Sequence, residues 1–85
     1  MDKEYFDKRI KEPFNDAWSC LQPIRDSNSD EAWTEYMIRQ DHLYKRLSKA
    51  ATPYEFEFLR LLHKTVLSAA DMIGKSYKEG SDKSC

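Results

Sequence analysis

Thr52-Pro53-Tyr54-Glu55-Phe56-Glu57-Phe58-Leu59-Arg60-Leu61-Leu62 is the stretch whose reading decides the fold. Thr52 offers a hydroxyl to the open N–H groups at a helix start, and Pro53 has its φ already set for the first helical position. Glu55 stands three residues after Thr52, the spacing of a capping box. From this start Phe58, Leu59, Leu62, Val66, Ala69, Ile73 and Tyr77 recur at steps of three and four, the period of one helical face. Glu55 and Glu57 near the beginning and Lys75 and Lys78 near the end match the helix dipole. Gly80 is expected to stop the helix, so the reading is a helix over about 53–78.

Upstream, the Ser27-Asn28-Ser29-Asp30 cluster starts a second helix over about 30–50, with Asp30, Glu31 and Glu35 early and Lys45, Arg46 and Lys49 late. Its stripe is Ala32, Trp33, Tyr36, Met37, Leu43, Tyr44, Leu47, Ala50 and Ala51. Glu35 with Arg39 and Asp41 with Lys45 are acidic-before-basic pairs four residues apart, the favourable order. The connection to the next helix is so short that the two should form an antiparallel hairpin. In the first segment, about 3–25, Phe6, Ile10, Phe14, Ala17, Leu21 and Ile24 keep one face across Pro13. A helix kinked or broken near Pro13 follows, with Pro23 marking its end or a second bend. The expectation is an all-α, three-helix bundle in one domain over 1–80, with a small polar tail at 81–85 that should be flexible.

Composition narrows the function classes. The 85 residues carry 14 basic and 15 acidic side chains, a formal net charge of −1, with both signs interspersed along the chain. Nothing in that balance suits a basic nucleic-acid module. Cys20 and Cys85 do not make the disulfide framework of a small secreted domain, and the chain opens Met-Asp-Lys-Glu without an apolar leader. A reducing, cytoplasmic setting is expected.

Chemistry-bearing constellations are sparse. Cys20 falls beside the first stripe, away from any base that could activate it. His42 and His63 sit on different helices without a ligand at metal spacing, so no metal or cofactor is expected. Gly74 and Gly80 are isolated, which excludes a glycine-rich phosphate loop. Leu67-Ser68-Ala69-Ala70-Asp71-Met72-Ile73-Gly74-Lys75-Ser76 resembles the first helix and turn of a helix-turn-helix. The resemblance implies a recognition helix to follow, and only Tyr77–Cys85 remains for it. The competing reading is one uninterrupted helix that tolerates Gly74 because something packs close to it.

Successive helical residues lie about 100° apart. On that wheel Tyr54, Leu61 and Met72 widen the third stripe on one side, and Phe56, His63, Leu67, Ala70 and Gly74 widen it on the other. The apolar arc reaches roughly 240°, more than one neighbouring helix covers. Either the third helix lies between the other two, or its surplus face meets another chain. Ile38, opposite the second stripe, would join that face if the fold brings it beside Phe56 and Leu67; Tyr5 is placed likewise on the first helix.

The function expected from these residues is a non-enzymatic protein–protein interaction module. It would be an adaptor, regulator or inhibitor, of the kind phages and mobile elements also encode. Phe56, His63, Leu67, Ala70, Gly74 and Ile38 would form its surface for a protein partner or for a second copy in a homodimer. The alternative is a small nucleic-acid-associated regulator using Arg60, Lys64, Lys75 and Lys78 on the outer face of the third helix, whose binding would weaken steeply with salt.

Overall fold

The capping box forms where the sequence places it, with one change of partner. The Glu55 N–H donates to Thr52 Oγ1 at 3.1 Å, while Glu55 returns its Oε2 to the Ala51 N–H at 3.2 Å and not to that of Thr52. Its Oε1 accepts from Arg9 Nη1 at 2.8 Å, tying the start of the third helix to the first. In the computed structural model, which describes residues 1–83 with side chains placed through Lys78, this helix runs Pro53–Lys83. It continues through the expected stop at Gly80. A glycine ends a helix by turning left-handed, and no positive-φ glycine occurs among the described residues. The last two residues of the expected tail, 84–85, lie outside the described residues. The helix also runs unbroken through Gly74, so the helix-turn-helix resemblance has no turn behind it.

The second helix spans Asp30–Lys45, with Ser29 Oγ accepting from the Ala32 N–H at 3.1 Å as its N-cap, and it tightens into a 3₁₀ turn over Arg46–Lys49. The first helix is made of joined pieces: Lys3–Phe6, a π-helical turn at Asp7–Lys11, and Glu12–Arg25. The π turn sits immediately before Pro13, whose ring would otherwise press on the carbonyl of Arg9 four residues back and which has no N–H to offer it.

Pro23 neither ends nor breaks the helix, which runs on to Arg25. Its missing N–H leaves the Ser19 carbonyl without a helical donor, and Arg39 Nη1 from the second helix donates to that oxygen at 2.9 Å. A charged donor from a neighbouring helix thus replaces the bond that proline removes.

Cross-helix pairs fix an up-down-up order. Arg46 with Asp16 and Arg39 with Ser19 run the first two helices antiparallel. His63 Nε2 with Gln40 Oε1, at 2.8 Å, and Trp33 beside Gly74 run the second and third antiparallel. Arg9 with Glu55, and the edge-to-face rings of Phe14 and Phe58 with centroids 5.5 Å apart, align the first and third in parallel. Tyr77 closes the far end, its hydroxyl donating to the Ile24 carbonyl at 2.7 Å. That oxygen is one of those a helix C-terminus leaves open.

The core is drawn from all three helices: Ala17, Cys20 and Ile24, then Tyr36 and Leu43, then Leu59, Val66 and Ala70. Burying Ile24 and Leu43 contributes about 1.5–3 kcal/mol each. The enclosed member is the first helix, which also buries Pro13 and packs extensively on both others. The expectation that the third helix lies between its neighbours is therefore not met. At about 46 Å by its rise per residue, it sets the long dimension of a 53 × 21 × 19 Å molecule and keeps much of its apolar arc uncovered.

Candidate interaction surface

Two apolar surfaces flank the third helix because its arc is wider than the contact either neighbour makes. The first lies along the antiparallel seam with the second helix. Trp33, Tyr36, Met37, Leu67, Ala70 and Gly74 line a shallow groove of about 450 Å³, with Asp71, Lys75 and Lys78 along its edge. Ala70 is buried in its floor, while Met37 and Leu67 stand half out of it. The indole of Trp33 is positioned by its own N–H, which donates to Asn28 Oδ1 at 2.8 Å, and by the edge-to-face ring of Tyr36.

The sequence-predicted residues divide over this geometry. Leu67, Ala70 and Gly74 meet in the groove. His63 lies further along the same seam, bonded to Gln40 and tilted against the Tyr44 ring at 5.1 Å. Burial pushes the His63 imidazole below its ordinary range, and the Asp41 carboxylate opposes the shift. Phe56, 45% exposed, is on the same flank towards the start of the helix. Ile38 does not join them. It lines a separate hollow between the first and second helices with Asp16, Ser19, Glu35, Arg39 and His42, because it points away from the third helix.

The second surface runs along the parallel seam between the first and third helices. Phe14, Trp18, Leu21, Leu62, Thr65 and Ala69 share one depression, and Trp18, Leu21 and Ile73 another beside Gln22 and Arg25. Trp18 is 62% exposed and Met72 68%. Trp18 was missed because it stands one position off the first stripe. The signal that would have found it is its spacing, four residues after Phe14 and three before Leu21, which widens the first stripe on one side.

The four basic residues of the third helix do share one face, with Glu57 and Asp71 set among them. Arg60 donates to both oxygens of Glu57, and Lys75 pairs with Asp71 at 3.0 Å. The Glu57 carboxyl is held below its usual range chiefly by the Arg60 hydrogen bonds.

Cys20 is buried, and desolvation, reinforced by Asp16, pushes its thiol up, away from the reactive thiolate. Among the described residues no three His, Cys, Asp or Glu side chains gather in a way that could hold a metal ion, and no helix is long and apolar enough to cross a membrane. Compared with known protein families, curated proteins and solved structures, the chain matches none.

Proposed function

We propose that this chain is a non-enzymatic protein-interaction module, an adaptor, regulator or inhibitor, whose partner docks in the groove between the second and third helices. The observation that carries the reading is the third helix's uncovered apolar flank. Leu67 and Met37 stand over a floor of Ala70 and Gly74, with Trp33 as a fixed aromatic wall. Interfaces of this kind combine an aromatic anchor, a dry centre and a charged rim, and Asp71, Lys75 and Lys78 supply the rim. An open groove between two helices suits the apolar face of a partner's helix. The basic residues favour nucleic acid less, because two of the four are already paired to carboxylates on the same face.

The test is a double substitution, Phe56→Glu with Leu67→Glu, compared with the wild type by circular dichroism and by affinity capture from the native host. The expected result is unchanged helicity together with loss of a protein that the wild type retains. A folded double variant that keeps every wild-type companion would refute the groove as the docking surface. Retention of nucleic acid at low salt by both forms would favour the basic face instead.

A further inference from the structure

The outward side of the third helix carries a pattern that the groove does not use and that the fold engages only at Phe58, through Phe14. Tyr54, Phe58, Leu61, Thr65, Ser68 and Met72 follow one another at steps of four, three, four, three and four, the alternation of a two-stranded coiled-coil seam. All but Phe58 are exposed, and none is charged. A helix face turned to water ordinarily carries charge. Here the charges begin only at the flank, at seven-residue intervals and with alternating sign: Glu57, Lys64, Asp71, Lys78.

We infer that this face pairs with the same face of a second copy of the chain, third helix against third helix, antiparallel. The sign order selects the occupant and its direction. In an antiparallel pair each such flank meets the same flank of the other helix, running the opposite way. With Leu61 set against the second copy's Met72, and Thr65 against its Ser68, Glu57 comes opposite Lys78 and Lys64 opposite Asp71. The two-fold axis repeats both pairs, so all four charges on each chain find an opposite sign. Lys64 makes no ion pair among the described residues and is available for this contact, while Glu57 and Asp71, paired within the chain to Arg60 and Lys75, would be shared with the second copy. The small side chains of Thr65 and Ser68 fall at the axis and let the helices approach closely, with Leu61 and Met72 closing over them on either side. The half-exposed rings of Phe14 and Trp18 lie along the other flank, where each copy adds its first helix to the contact. The seam residues are not those of the groove between the second and third helices, but the charged flank shares Asp71 and Lys78 with the edge of that groove, so a dimer occupies one edge of it and leaves Trp33, Met37 and Leu67 free.

The experiment uses the full chain and two single charge reversals, Lys64→Asp and Asp71→Lys, with mass in solution followed by sedimentation over a concentration series. Both positions are exposed, so folding is kept, as circular dichroism will check. The wild type is expected to dimerise. Each single variant places like charges opposite one another twice per dimer and should weaken association by roughly tenfold, from the size of exposed helical charge pairs. Mixed in equal amounts, the two variants present fully opposite flanks and should associate as tightly as the wild type. A wild type that stays monomeric throughout, single variants that associate as well as the wild type, or a mixture no tighter than its components would each overturn the proposal.

Discussion

Arg39 donates to the Ser19 carbonyl at 2.9 Å, the oxygen that Pro23 leaves without a helical partner. The contact explains how a proline sits within the last turn of the first helix without ending it. It also couples a residue of the second helix to a backbone defect in the first.

The coupling is measurable as a double-mutant cycle. Arg39→Met in the wild type should cost about 1 kcal/mol, the scale of a partly exposed charge-assisted hydrogen bond. With Pro23→Ala, residue 23 regains an N–H for Ser19, and the cost of Arg39→Met should fall by at least half. Equal costs in both backgrounds, read from urea unfolding, would mean that Arg39 acts through its side-chain partners, Glu35 at 2.9 Å and the Ser19 hydroxyl at 3.2 Å, and not through the Ser19 carbonyl.

Gly74 should be improvable. A methyl group placed there meets the Trp33 ring at 3.6 Å, ordinary van der Waals contact, and the position is mid-helix. Gly74→Ala should therefore raise stability by about 0.5–1 kcal/mol through helix propensity. A lower melting temperature would show that the ring sits closer than this geometry gives.

His63 sets a pH dependence whose sign follows from its burial. Its folded pKa lies below the ordinary value of 6.5, so protons prefer the unfolded chain. Stability should then rise with pH from the folded pKa up to about 6.5 and be flat above it. Denaturation midpoints of the wild type compared with His63→Gln across this window isolate the contribution of His63. A difference that shrinks as pH rises would reverse the sign and contradict the burial of the ring.

Cys20 should be inert while the chain is folded. In a Cys85→Ser background, a thiol reagent is expected to label Cys20 at the rate of unfolding, and rapidly once denaturant is added, because a buried thiol with a raised pKa offers no thiolate. Fast stoichiometric labelling of the native protein would contradict that packing.

Much of the fold is legible in the residues. Thr52, Ser29 and the three apolar stripes mark the helices, since caps and period act within a turn or two. What is not legible depends on distant partners. Pro23 reads as an end because its rescuer, Arg39, is supplied from another helix. Pro13 reads as a kink or break, and a π turn absorbs it. The site is half legible: the wheel shows that the third helix is too broadly apolar, but the packing alone decides that both flanks stay open. Trp18, Trp33 and Met37 enter the surfaces through helix placement, and Ile38 leaves them for the same reason.

The central claim is that both apolar flanks of the third helix are surfaces, divided by a buried line through Leu59, Val66 and Ala70. Thermal unfolding of Leu61→Glu, Leu67→Glu and Val66→Glu, at concentrations too low for self-association, tests it most directly. A charge at an exposed flank should leave helicity intact and move the melting temperature by only a few degrees, whereas Val66→Glu buries an unpaired charge and should abolish folding. If Leu61→Glu or Leu67→Glu unfolds the chain as Val66→Glu does, that flank belongs to the core and is not a docking face.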